Sequence, residues 1–204
     1  MARVTLALVL LLAGCAAPGP RVSQQGARAR LAERTSQLEN HPDWALRGRI
    51  AVSNGDDGGS ARVNWDTGPS GYRLWIYAPL GQGTWTLHGN DQEAVLEGGE
   101  GTYRGTDAAS LIAEHLGWNL PVEAMLYWVR GMPDPDRATT GIEFDHDGHP
   151  DLIRQAGWTV RFSEWAHYAS IDMPRRLEAD QPPYKVKLVV QDWAIGAPAT
   201  DATP

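Results

Sequence analysis

From residue 44 onward apolar and polar residues alternate through much of the chain, the period-two signature of strands with one buried and one wet face. Residues 46–53 and 60–65 flank the turn-forming run Asn54-Gly55-Asp56-Asp57-Gly58-Gly59, which predicts a hairpin with Ala61, Val63 and Trp65 on one face. Residues 72–77 are aromatic or aliphatic except for Arg73 and predict a strand whose two faces are both covered or both used. Residues 84–88, 93–97 and 101–104 continue the meander. After a helical interruption, strands are predicted at 141–144, 152–155, 158–165, 169–171 and 184–195. Trp158, Val160 and Phe162 share a face there, as do Val186, Leu188 and Val190.

The period changes to that of a helix in three places. Residues 27–39 place Ala27, Leu31 and Leu38 on one side, and Asn40 followed by Pro42 supplies a stop. Thr106 or Asp107 can cap a helix over 108–116 that Gly117 ends in a left-handed turn. Pro121 suits a first helical position, and Val122, Met125, Leu126 and Val129 then form one apolar stripe, widened by Tyr127 and Trp128, before Gly131-Met132-Pro133. Many antiparallel strands with two or three short helices predict a mainly β fold, a curved sheet or partial barrel under a helical cover.

The N-terminus follows a different logic. Arg3, the apolar run over 4–12 and the small pair Ala13-Gly14 have the layout of a secretory signal, and the run is far shorter than the ~20 residues a membrane-spanning helix needs. Leu12-Ala13-Gly14-Cys15 resembles a bacterial lipobox. The resemblance implies removal of residues 1–14, a diacylglycerol thioether on Cys15 and an N-acyl chain on its freed amine. Cys15 is the chain's one cysteine, so no disulfide competes for it. Ala16, rather than Asp, follows it, which by resemblance to the bacterial sorting rule directs the protein to the periplasmic face of the outer membrane. Residues 15–26, with Pro18, Gly19, Pro20 and Gly26, read as the lipidated Cys and a flexible tether reaching ~30 Å. Residues 27–196 form one domain, and 197–204 read as a disordered tail.

Composition narrows the function classes. Eighteen Lys and Arg against 25 Asp and Glu give a formal charge of −7, with no polybasic run, which argues against nucleic acid and predicts an apolar membrane contact. The chain contains no phosphate-binding loop, zinc-protease motif or nucleophile elbow. Asp145-His146-Asp147-Gly148-His149 could ligate a divalent metal, but Asp-Gly between Phe144 and Leu152 is also what a hairpin turn requires. Nine tryptophans against two phenylalanines are the unusual feature, and Trp75, Trp85, Trp118, Met125, Leu126, Trp128 and Trp158 are candidates to line an apolar cavity. Any one of the tryptophans could instead fill the core or carry its indole N–H to the surface. In Pro79-Leu80-Gly81 a large apolar side chain sits at an expected loop tip, where it could enter a bilayer.

The succession Leu46-Arg47-Gly48-Arg49-Ile50-Ala51, Tyr72-Arg73-Leu74, Pro79-Leu80-Gly81, Trp128-Val129-Arg130-Gly131-Met132-Pro133 and Gln191-Asp192-Trp193-Ala194-Ile195 resembles the LolB family of outer-membrane lipoprotein receptors. The resemblance implies an unclosed antiparallel β-barrel with a helical lid over a hydrophobic cavity. It implies that the cavity receives the acyl chains of lipoprotein cargo from the periplasmic carrier LolA, and that Leu80 is the tip meeting outer-membrane phospholipid. The expected protein is a non-enzymatic monomer without cofactor or resident metal. A lipid-anchored envelope module, binding through a sheet edge, and a metal-dependent periplasmic enzyme using residues 145–149 are the alternatives.

Overall fold

The computed structural model of the chain describes residues 22–79, 83–99 and 101–196. The signal, Cys15, most of the tether, Leu80, Gly81 and the tail at 197–204 lie outside the described residues. Helix α1 (Gln24–Glu39) precedes six strands, β1 (Trp44–Ser53), β2 (Gly58–Gly68), β3 (Gly71–Tyr77), β4 (Thr84–Gly89), β5 (Ala94–Gly98) and β6 (Gly101–Gly105). Helices α2 (Ala108–Leu116) and α3 (Val122–Trp128) follow, then β7 (Thr139–Phe144), β8 (Pro150–Gln155), β9 (Trp158–Tyr168), β10 (Ile171–Gln181) and β11 (Tyr184–Ile195).

All eleven strands join one antiparallel sheet in the order β6-β5-β4-β3-β2-β1-β11-β10-β9-β8-β7. The first and last strands of that order, β6 and β7, are its open edges, so the sheet does not close. The segment joining them carries α2 and α3 and crosses the inner face from one edge to the other. Alternation decides which side chains face it. In β1, Leu46, Ile50 and Val52 are buried while Arg47, Arg49 and Ala51 are exposed. The inward set continues across register as Val63, Trp65, Leu74, Ile76, Leu87 and Leu96 on one side and Leu188, Leu177, Val160 and Ile153 on the other.

α1 begins three residues earlier than expected, inside the stretch read as tether, because the Ser23 side chain accepts the Gly26 N–H at 3.1 Å and caps it there. Ala27, Leu31 and Leu38 are its buried face, as their spacing predicts. α2 has the predicted bounds. Asp107 caps it by accepting from Ala109 and Ser110 N–H, and Gly117 ends it at φ 71°. α3 starts one residue after Pro121, which stands as its cap position rather than its first turn.

The main departure is β10. Only its beginning is predicted, and it runs for 11 residues. Pro174, Arg175, Arg176 and Glu178 dilute its apolar content, and register shifts at Pro174/Arg176 and Arg176/Leu177 break the alternation on which the prediction depends.

Turns 53–58, 77–84, 98–101, 155–158 and 181–184 gather at one end of the sheet, and α1 packs toward the opposite end, where its Arg30 donates to the Asp147 carbonyl at 2.7 Å. The hairpin between Tyr77 and Thr84 belongs to the first group, with Ala78 N–H donating to the Gly83 carbonyl at 3.2 Å.

Candidate functional site

The inner face under the lid is where the tryptophan-rich residues converge, though not as a hollow. Met125 and Trp128 are both 0% exposed, and Leu120, Val122, Ala124 and Val129 pack with them against the sheet. Trp158 is buried beside Trp128, with ring centroids 6.1 Å apart. Leu126 is half-buried at the margin of the same core. The lid's own side chains thus occupy the space the sequence reading reserves for a ligand.

Trp85 and Trp118 are only half-buried and flank the end of the sheet that carries the 77–84 hairpin. Trp85 rests on the backbone of Gly98, where an added Cβ would come within 2.6 Å of the indole at φ 154°. It stacks on Tyr103 at 6.5 Å, and Tyr103 stacks in turn on His115 of α2 at 3.6 Å. Trp118, just past α2, covers Gly59 of β2. These aromatics, with Leu116, rim the C-terminal end of α2. Tyr103 and His115 are missed by the sequence reading, since residues 103 and 115 meet only through β6 and α2 packing.

Trp75 does not join this group. It is in register with Asn64 and Thr86 on the outer face, and Arg73 lies over its ring at 5.4 Å. Its neighbours Leu74 and Ile76 point inward, and strict alternation in β3 puts Trp75 on the other side. Pro79 is exposed at the hairpin, while the residues after it, Leu80 and Gly81, lie outside the described residues, as does Cys15. A second aromatic group, Trp44, Trp65 and Trp193, sits inside at the α1 end, with Trp44 5.9 Å from Trp65 and 5.7 Å from Trp193. The Trp65 indole N–H is buried without a hydrogen-bond partner among the described residues.

The two parts of the lid are held differently. Gln155, 1% exposed at the end of β8, accepts from Trp128 Nε1 and from Asp134 N–H, each at 2.8 Å. Its Nε2 shares its two hydrogens among three acceptors, the Asp134 carbonyl at 2.8 Å, the Arg137 carbonyl at 3.0 Å and Thr139 Oγ1 at 2.7 Å. From the other side Arg34 of α1 donates to the Arg130 carbonyl at 2.6 Å and the Asp172 carbonyl at 2.9 Å, with its guanidinium over Trp165. Burial lowers the Arg34 pKa to about 10, and Arg130, also buried, is lowered to about 10 chiefly by the same loss of solvent. α2 is tied mainly by contact: Ala108, Leu111 and Ile112 are buried against β5, β6 and α3. Its polar link to the rest of the lid is the Glu123 carboxylate accepting Ala108 N–H at 3.3 Å.

The Asp145-His149 segment forms the β7–β8 turn. Asp145 Oδ1 accepts Asp147 and His149 N–H at 2.9 and 2.8 Å, and Gly148 takes φ 88°. Candidate ligand atoms of Asp145, Asp147 and His149 lie within 4.8 Å of one another. Both ring nitrogens of His149 already meet carboxylates, Asp145 Oδ2 at 3.3 Å and Asp172 Oδ2 at 3.1 Å, so the cluster joins turn to strand.

The family model described as outer membrane lipoprotein LolB matches residues 42–193, from just before β1 into β11. The chain belongs to the LolB family. An outer-membrane lipoprotein LolB from Chromohalobacter salexigens is 35% identical over 196 residues, covering 95% of this chain and 91% of its own. Another from Xanthomonas campestris pv. campestris is 38% identical over 189 residues, covering 89% and 86%. A crystal structure of a LolA superfamily protein from Nitrosomonas europaea superposes with TM-score 0.56 at 9% identity, covering 82% of this chain and 92% of that one, which establishes a shared fold. The unclosed antiparallel sheet with helices expected from the LolB resemblance is the fold observed.

Proposed function

We propose that the protein is an acceptor that takes acylated lipoproteins from a LolA-like periplasmic carrier and passes them to outer-membrane phospholipid without nucleotide hydrolysis. The acyl groups on Cys15 hold the domain at its target, since one chain anchors marginally and several anchor firmly. The observation that carries this reading is the attachment of α2, fastened over the sheet's inner face mostly by apolar side chains and rimmed at its end by half-buried Trp85, Tyr103 and Trp118.

Magnitudes favour displacement of α2 by cargo. Burial of Leu111 and Ile112 is worth about 3–6 kcal/mol together. An acyl chain of about a dozen methylenes gains about 10 kcal/mol on leaving water. The inner face thus offers an acyl chain more apolar transfer free energy than Leu111 and Ile112 draw from it, and direct transfer from one protein interior to another spares the chain exposure to water. No chemical step is needed. A preference of about 1.4 kcal/mol over the carrier moves the equilibrium tenfold, and the bilayer is the deepest well.

Leu80 at the hairpin tip opens the route into the leaflet. Replacing it with Glu is expected to leave uptake from the carrier intact and to impair release into vesicles. Unimpaired release by Leu80→Glu removes the hairpin from the mechanism. The packed interior favours one competing reading, a plain envelope module with no transfer role. A fluorescent apolar probe separates them: the acceptor binds it with a change in Trp emission as α2 yields, and a packed module leaves both unchanged.

A further inference from the structure

The sequence contains no basic run, yet strand register collects four arginines on one outer surface. Arg49 lies directly opposite Arg62 and Arg62 opposite Tyr77; in the next outward-facing row Arg47 lies opposite Asn64, which pairs with Trp75, and one row further Arg73 lies opposite Asp66. All four arginines are exposed. Like charges facing each other across an antiparallel pair are unfavourable. Elsewhere the outer face avoids this: Lys185 and Lys187 pair with Glu178, Arg176 with Glu164 and Arg154 with Glu143. On β1–β3 no carboxylate lies within 4.0 Å of any of the four arginines among the described residues. Arg62 and Arg73 instead lie over the rings of Tyr77 and Trp75 at 5.9 and 5.4 Å. Asp192 opposite Arg47 and the mostly buried Asp66 opposite Arg73 are the nearest acids in register.

The place of this patch matters as much as its charge. Tyr77 precedes the hairpin tip, three residues from Leu80, at most about 10 Å of chain. When an apolar tip enters the acyl region, side chains that far behind it lie at the depth of the headgroups. Arginine with tyrosine and tryptophan is the composition that depth favours, the cations on phosphates and the aromatic rings at the boundary.

We propose that the outer face of β1–β3 is a docking surface for anionic phospholipid, with Arg49 and Arg62 on the headgroup phosphates, Arg47 and Arg73 behind them, and Tyr77 and Trp75 as interfacial anchors. It orients the sheet so that the hairpin meets the leaflet tip-first. It adds a charged component to the apolar contact expected from net charge, and it rests on the reading that the hairpin contacts the bilayer.

The test uses the unacylated chain from residue 16 onward, whose core is complete within residues 27–193, in pelleting assays with vesicles of phosphatidylcholine alone or mixed with phosphatidylglycerol. Phosphatidylglycerol is expected to raise binding, and salt to abolish the gain. Arg49→Gln and Arg62→Gln are each expected to lower the partition coefficient about fivefold, and the pair about 25-fold, while Lys at both positions restores most of it. Arg161→Gln on the opposite half is the control. Thermal unfolding checks that each variant is folded. A wild-type chain indifferent to phosphatidylglycerol, or a double variant that binds like wild type, overturns the proposal. Loss of binding in Leu80→Glu alone keeps the hairpin and removes the arginines; loss in the arginine variants alone does the reverse. If the double variant keeps vesicle binding but loses uptake from the carrier, the patch serves an acidic protein surface and the lipid assignment falls.

Discussion

The strap of residues 128–139 and helix α2 cover the same sheet, but the first is fastened by buried hydrogen bonds and the second by apolar contact. Gln155 alone reaches five polar groups of the strap, and Arg34 fixes it from α1. Hydrogen bonds are directional and costly to break singly inside a core, so the strap can only stay or unfold. Apolar contact has no required direction, so α2 can slide or be replaced by another apolar body. One half of the lid is thus held by directional bonds and the other by apolar contact, a difference on which the proposed acceptor role rests.

The comparison breaks most visibly at Gln155. Gln155→Ala strands the Trp128 and Asp134 donors in the core and is expected to cost about 3–5 kcal/mol in denaturant unfolding; a loss below about 1 kcal/mol means that water fastens the strap equally well. Next in size is Ile112→Ala in α2, expected to cost about 3 kcal/mol while raising affinity for an apolar probe, because the helix gives way sooner. A destabilised variant whose probe affinity is unchanged uncouples α2 from access. Asp107→Ala removes the α2 cap for about 1 kcal/mol, and amide exchange in 108–117 should accelerate while that of the Asp134 N–H stays slow.

The smallest effect lies beside the Arg34 clamp. The hydrogen bond from His167 is the main cause holding the Asp172 carboxyl below its ordinary value of 3.8, with burial opposing and His149 assisting. A carboxylate with a depressed pKa stabilises the fold fully above its ordinary value, and that share is lost as pH falls below 3.8 toward the folded-state pKa. Asp172→Asn should therefore lower Tm slightly at neutral pH, where the carboxylate's share is present, and flatten the acid limb of Tm against pH below 3.8. An unaltered acid limb assigns the loss to other carboxylates.

Most strands were legible because burial on one face imposes alternation that a reader can see in Leu46 to Val52 or Val186 to Val190. β10 was not, since two register shifts and a proline hide the same rule. The lid helices were legible from Asp107, Gly117 and the Val122-Met125-Leu126-Val129 stripe. The site was legible only in part. Trp85, Trp118, Met125, Leu126, Trp128 and Trp158 do meet the inner face or its rim, whereas Trp75 needed one more step, counting the alternation from Leu74. Gln155 and Arg34 carry no local signal, because their partners, mostly backbone groups, lie far along the chain. The arginine patch was hidden for the same reason: summed charge is blind to which residues a sheet places side by side.

β1 and β11 pair at the middle of the sheet although they stand about 140 residues apart. A chain emerging from its translocation channel can build the β1–β6 meander early, but β1 keeps a bare edge until the final strand arrives. Completion is thus postponed to the end of secretion. Contacts so remote also slow assembly, which makes the interval before closure the time when this protein is most open to aggregation and to proteases of the cell envelope.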